Sequence, residues 1–509
     1  MASFTSILSP HATTVDETGM PDCCADLYLD QVIRTVTTGH TDDGLENFFY
    51  APLHDVSTVN YRHDVFRDLE RDEVRRPIEN FVAGMRTMRQ RMHQSAHLWH
   101  PLQQHGWFVY AVEAYCSALK ILRDDLAQAT LTSDGLRDFV THVCHYVDSD
   151  TFQMLVADTQ NVQAELHQVR YAVHIQGLRV HVEKYDAQPD YSAQVAATFE
   201  RFVTATAKDY RVRLPDFPDM NHVEEQVLEC VARLYPQVFS LLKAFCTDNT
   251  NFVEPVIDRF DREIHFYLSY LAFMRLFAEA GLTFSYPQVT DEPGVVCAND
   301  AFDLALAIKS LREDKPVIRN DFRLSGAERI FVITGPNQGG KTTFARTIGQ
   351  CAYLAALGCP VPATHAAFTL PDAIYTHFER QETLATLHGK LDDELVRIHD
   401  ILSRATAASL IVMNESFAST TADDALQIGT EVLGRMSRLR CVAVYVTFLD
   451  ELANLDPTCV SMVGEVAPED PTRRTFKFTP RPADGLAYAA ALAGKYGLTH
   501  DVLRRRITQ

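Results

Sequence analysis

The sequence predicts a two-part fold: a mostly α-helical region that carries a small β element, followed by an α/β domain built on buried parallel strands. Three observations predict it. From Ala25 to Phe139, and again from His222 to Ala280, apolar residues recur every three or four positions with charges between them, the period of a helix with one buried face. Between Tyr171 and Val182 the period falls to two, as in a half-exposed strand. After Gly281, Pro and Gly punctuate the chain, and unbroken apolar runs read as strands covered on both faces.

Residues 1–20, rich in Ser, Thr, Pro and Gly, read as a flexible tail. A helical core domain is expected over 21–140, where Val65 and Leu69, then Val74, Ile78, Phe81 and Val82, mark the buried stripe. Residues 141–290 read as lever helices with a reduced, clamp-like β element. In that element Tyr171, Val173 and Ile175 alternate with polar residues, as do Val180 and Val182 beyond Gly177, and Arg211-Val-Arg213 could pair back as a further strand. The lever period runs through Val227, Leu228, Val231, Leu234, Tyr235, Val238, Leu241 and Leu242. Residues 291–509 form the α/β domain, with strands at Ile330 to Ile333, Leu410 to Met413 and Val442 to Val446.

At 509 residues the chain is long enough for two or three cores that need no staples. Its 11 cysteines are scattered without C-x-x-C spacing, which excludes a zinc knuckle or disulfide framework and fits free thiols in the cytoplasm. No basic residue precedes Arg34, so a signal peptide is not expected. The longest stretch without Asp, Glu, Lys or Arg, Thr347 to Pro371, is interrupted by Gly and Pro and reads as a buried helix and turn, not a membrane span. A formal net charge of −20 opposes nucleic acid overall. Local basic patches remain at Arg75-Arg76, at Arg86, Arg89 and Arg91, at Lys208, Arg211 and Arg213, and at Arg504-Arg505-Arg506; each is equally a solvated helix face.

The chemistry concentrates in one turn. The strand ending at Ile333 runs into Gly335-Pro336-Asn337-Gln338-Gly339-Gly340-Lys341-Thr342, a full match to G-x-x-x-x-G-K-[ST], with Thr343 following. Glycines let backbone N–H groups close on phosphate oxygens, and a helix starting at Lys341 aims its positive end at the same point. Lys341 is expected on the β- and γ-phosphates of ATP and the Thr342 hydroxyl on Mg²⁺. The strand Leu410 to Met413 ends in Asn414-Glu415, where such ATPases place a metal-directed Asp and then a catalytic Glu. Glu415 is thus the expected catalytic residue, orienting the attacking water. Asn414 is expected near the metal, with an uncharged oxygen.

These residues resemble the MutS family of DNA mismatch-repair ATPases. Ile333-Thr-Gly-Pro-Asn-Gln-Gly-Gly-Lys-Thr-Thr343 is similar to the family's TGPNxGGKS/T loop; Asn320-Asp321, Gly358-Cys-Pro-Val-Pro-Ala363, Ile374-Tyr-Thr376 and Gly485 to Leu498 follow the family's order. Leu45 to Leu53 with Arg62 to Leu69 resembles the core pattern, and Glu225 to Leu276 the descending lever helix. The resemblance implies an ABC-like P-loop ATPase domain on a helical core and lever, in a short form without the mismatch-recognition and connector domains. It implies a homodimer through the ATPase domains and a signature loop, Ser419-Thr420-Thr421, that reaches the partner's γ-phosphate. Read by themselves, those three residues ahead of Asp423 and Asp424 equally form a helix N-cap.

Three positions depart from the family: Asn414, Phe448 where Thr-His is usual, and Val317 where an aromatic ring faces adenine. Phe252-Val-Glu254 matches the mismatch wedge F-x-E as letters but falls in the lever. His93, His97 and His100 share the spacing of one helix face, either a transition-metal site or structural histidines. The expected function is ATP-driven gating of a dimer acting on DNA, with slow hydrolysis; the alternatives are a nucleotide-gated scaffold for protein partners and a nucleotide-binding pseudoenzyme.

Overall fold

A computed structural model of the protein describes residues 4–11, 19–39, 44–177, 179–188, 194, 198, 220–379, 390–417 and 420–483. In chain order these residues form α1 (Cys23–Asp26), α2 (Leu29–Val36), α3 (Glu46–Phe49), α4 (Val56–Glu70), α5 (Asp72–His97), α6 (Pro101–Leu126), α7 (Asp134–Val147) and α8 (Asp150–His167). A ribbon of β1 (Tyr171–Gln176) and β2 (Arg179–Lys184) follows, then α9 (His222–Leu234), α10 (Pro236–Asp248) and α11 (Pro255–Ala278). The last part runs β3 (Gln288–Thr290), β4 (Val296–Ala301), α12 (Leu304–Arg312), β5 (Asn320–Leu324), β6 (Ile330–Thr334), α13 (Lys341–Ala356), β7 (His365–Thr369), β8 (Ile374–Phe378) and α14 (Lys390–Arg404). It closes with β9 (Leu410–Asn414), α15 (Ala422–Leu439), β10 (Val442–Val446), β11 (Cys459–Ala467) and β12 (Asp470–Pro480). The fold is mixed α/β. None of the described helices is long and apolar enough to cross a membrane, and all eleven cysteines are free.

The chain divides into two compact units, residues 1–4, 71–131 and 136–261 in one, and residues 5–70, 132–135 and 262–509 in the other. In the first, α5 turns its stripe of Val74, Ile78, Phe81, Val82, Met85 and Met88 inward. It packs on α6 so closely that a Cβ on Gly84 would lie 2.6 Å from the Ala118 Cβ. β1 and β2 form an antiparallel hairpin about Gly177, whose φ of 62° suits glycine. The Arg211-Val-Arg213 strand and the patches at Lys208 and Arg504 lie outside the described residues. The expected continuous lever helix is instead three helices. Pro236 starts α10 because it has no N–H to donate back, and Pro255 likewise opens α11.

The other sequence patterns in this unit are structural. Phe252 is buried edge-on against Phe108 and Tyr115, and Glu254 accepts from the Ile257 N–H at 2.8 Å. The F-x-E letters therefore belong to a helix start. The histidines do not share one helix face: α5 stops at His97, while His100 is the extended N-cap of α6. Among the described residues no group of three His, Cys, Asp or Glu is placed to hold a metal. The basic patches are largely paired: Arg75 and Arg76 with Asp72, Arg89 with Asp261, Arg91 with the Tyr110 carbonyl and Glu113.

In the second unit the larger sheet has the order β12-β11-β6-β10-β9-β8, parallel except for the edge strand β12. A four-stranded sheet, β3-β7-β4-β5, lies in the same unit. α13 is buried from Phe344 to Ala356, as is Lys341 at its start. Its polar side chains are satisfied internally: Gln350 accepts from Leu304 N–H and donates to the Leu27 carbonyl, both at 2.9 Å. Arg346 forms a two-point pair with Asp303, the N-cap of α12, and lies 4.1 Å over the Tyr28 ring.

Where it is described, at residues 4–11, the N-terminal segment corrects the expectation of a tail over residues 1–20. Ile7 and Leu8 are fully buried; Ser6 Oγ and Ile7 N–H donate to Glu263, and Tyr267 donates to the Ile7 carbonyl. Arg62 then joins Leu8 to Leu357, donating to both carbonyls at 2.9 and 2.7 Å. A backbone with so many internal partners is held in place. Residues 21–70, expected in a core domain with 71–140, pack with the C-terminal half for the same reason. Tyr353 donates to the Phe49 carbonyl, and Thr376 to Asp26 on α1.

Candidate functional site

The carboxyl ends of β6, β9 and β10 lie side by side, because these neighbouring strands run parallel and in register. Ligands of open parallel sheets collect at that edge. β6 is fully buried, and the glycine-rich turn 335–340 joins it to α13. Glycine is required at two points. Gly335 has φ +124°, and a Cβ there would come within 2.9 Å of the Gly464 nitrogen. Gly340, the N-cap of α13, has φ +91°. Pro336 and Gly339 are buried in the turn, while Asn337 and Gln338 face solvent.

Within this edge the expected residues meet. Lys341, itself buried, donates to the Gly335 carbonyl and to Asn337 Oδ1, both at 3.2 Å, and its ammonium stands 3.4 Å from Glu415. Thr342 Oγ1 donates to Asn414 Oδ1 at 2.8 Å. Thr343, the third residue of α13, is partly buried. The carboxylate of Glu415 therefore shares an ammonium with the turn, and the two residues expected near Mg²⁺ touch. Their donor set is a hydroxyl and an amide oxygen, both hard and both neutral, which fits an Mg²⁺ held mainly by phosphate and water.

Other expected residues sit apart. Thr421 is the N-cap of α15: its hydroxyl accepts from Asp424 N–H at 3.2 Å and donates to the Asp424 carboxylate at 2.8 Å. Thr420 donates to the same carboxylate at 3.3 Å. The N-cap arrangement is thus present; Ser419 lies outside the described residues. Phe448 is exposed beside Thr447, whose N–H continues the β6–β10 ladder by donating to the Ile333 carbonyl. Val317 is half-buried.

One residue of this edge escaped the sequence reading. Phe476 is 45% exposed, and its ring flanks the start of α13: a Cβ on Gly340 would lie 3.3 Å from Phe476 Cδ1. Asn320 clamps it, donating to the Phe476 carbonyl and accepting from Phe478 N–H. A break in register between β11 and β12 and a φ of +60° turn Phe476 outward, while Phe478 stays buried against Phe344.

A parallel sheet whose central strand leads through a glycine turn into a buried helix, with Asn-Glu ending a nearby strand, is a mixed α/β arrangement compatible with an ATPase domain. Residues 331–487 match the family model of MutS domain V. This stretch is thus similar to MutS domain V, the ATPase domain of MutS family proteins, which supports a nucleotide-binding role in DNA-related processes.

Proposed function

We propose that the protein is a MutS-type ATPase that binds ATP at the turn 335–343, hydrolyses it slowly, and uses its nucleotide state to open and close a homodimer acting on DNA. The observation that carries this reading is the pairing of Lys341 with Glu415 at 3.4 Å beside the Thr342–Asn414 contact. In that arrangement Lys341 and the backbone N–H groups of the turn bind the β- and γ-phosphates, and Thr342 and Asn414 hold Mg²⁺. The metal, when bound, neutralises charge on the phosphate oxygens. Glu415 orients a water toward the γ-phosphate and takes its proton. Phe476 offers its ring to the base where Val317 cannot. Thr420 and Thr421, with Ser419, reach the partner's nucleotide.

Mismatch reading is not part of the proposal, because Phe252 is buried. The net charge of −20 favours a second reading in which the gated dimer grips a protein partner and no DNA. Lys341→Ala tests the common core of both: it should abolish binding of a fluorescent ATP analogue in a protein that still melts cooperatively. Unchanged affinity would remove the nucleotide site from this turn.

A further inference from the structure

We propose that Glu394 is the positioning residue that fixes Glu415 in the site. Glu394 lies one turn into α14 on the inward face, four residues before the buried Ile398, and only 8% of it is exposed. Its Oε2 accepts from the Phe417 N–H at 3.0 Å. A carboxylate is costly to bury unless a donor meets it, so the presence of one against a loop backbone calls for a reason.

The loop supplies it. Beyond β9 the chain passes through Glu415 at φ +49° and Phe417 at φ +65°, two side-chain-bearing residues in the left-handed region within three positions. Such a conformation persists only where its surroundings hold it. Three things hold this one. The Glu415 N–H donates to the Val446 carbonyl at 3.0 Å, extending the β9–β10 ladder. The Phe417 ring is fully buried in the same cluster as Ile398 and Met413. Glu394 takes the Phe417 N–H. With both ends of the Glu415–Phe417 turn fixed, the Glu415 carboxylate is delivered to Lys341 at 3.4 Å. Glu394 acts on Glu415 through two peptide units, by way of the Phe417 N–H.

This inference rests on the proposed hydrolysis at Glu415. Its test measures phosphate release, ATP-analogue affinity and melting temperature for the wild type, Glu394→Ala, Glu394→Asp and Glu394→Gln. Gln keeps an oxygen acceptor at the same reach and should retain most of the turnover. Ala lacks the acceptor, and Asp is one methylene short; both should lose kcat by about 100-fold, the scale of an ångström-sized misplacement of a catalytic group, with ATP affinity unchanged. If Ala does not fold, Asp carries the comparison with Gln. Wild-type kcat in Ala or Asp overturns the proposal, and so does a parallel fall of kcat, affinity and melting temperature in all three variants. A wild type that binds ATP without turning it over would refute the hydrolysis reading and this inference with it, whereas wild-type turnover insensitive to Glu394 refutes the inference alone.

Discussion

The Thr342 hydroxyl donates to the amide oxygen of Asn414 across 2.8 Å, so the first turn of α13 is tied to the end of β9 by a neutral hydrogen bond. An aspartate there would make the same bond charge-assisted, roughly twice as strong, and would add a negative charge where Mg²⁺ is proposed to sit.

Asn414→Asp should therefore lower the Mg²⁺ concentration needed for half-maximal phosphate release, raise the maximal rate, or both. Glu415→Gln should leave ATP bound and cut turnover by about 100-fold or more, the range of a lost general base. Phosphate release across a Mg²⁺ series measures all of this. If Asn414→Asp moves neither quantity, Asn414 does not face the metal.

A second prediction concerns Phe476, exposed beside Gly340 and clamped by Asn320. Base stacking on an aromatic ring is worth about 1–3 kcal/mol. Phe476→Ala should weaken ATP about 5- to 150-fold while leaving inorganic triphosphate unaffected, and Phe476→Trp should restore ATP affinity. Equal losses for ATP and triphosphate would mean that the ring shapes the turn and not the base site.

Three of the parallel strands were legible because each is an unbroken apolar run, Ile330 to Ile333, Leu410 to Met413 and Val442 to Val446, buried throughout; β8 and β11, broken by Thr and His or by Ser, Gly and Glu, were not. The four-stranded sheet was not, since β3 has three residues and β4 ends in Asn-Asp-Ala, weak signals for a strand. Helical periodicity runs on through Tyr235-Pro236, so the pattern alone could not break the lever there. Ile7 and Leu8 between serines and a proline look like a tail, and only partners some 250 residues away, Glu263 and Tyr267, show otherwise. Phe476 and Phe478 share a face in any regular strand; the register break that separates them has no sequence mark.

His63 gives a pH signature. Burial, with the Arg67 charge adding to it, pushes the imidazole down to about 4, so the folded protein keeps it neutral. Its unfolded value is about 6.5. The folded state is thus favoured above pH 6.5, and that contribution is lost as pH falls toward about 4. By linkage the loss between pH 7.5 and 5 is about 2 kcal/mol. His63→Gln, which does not titrate, should be less stable than wild type at pH 7.5, and that gap should narrow or invert at pH 5. Urea unfolding at both values measures it. A gap of constant size would show that His63 does not charge on unfolding.

The last prediction addresses assembly. Thr420 and Thr421 bond to Asp424 within their own chain, so reaching a partner's γ-phosphate would exchange these hydrogen bonds for charge-assisted ones to the nucleotide. Each ATP then bridges two subunits, binds the dimer better than the monomer and by linkage promotes association. Glu415→Gln with ATP and Mg²⁺ should shift toward dimer in light scattering across a concentration series, and should do so less when Thr420 and Thr421 are both alanine. Alanine at Thr421 also removes a helix cap worth about 1 kcal/mol, so Thr421→Ser, which keeps the cap, must be run beside it. If serine preserves the shift and the double alanine abolishes it while melting stays cooperative, the hydroxyls act between subunits. A mass that ignores nucleotide, always monomer or always dimer, would mean that ATP does not set the assembly, and the gating mechanism would have to be abandoned.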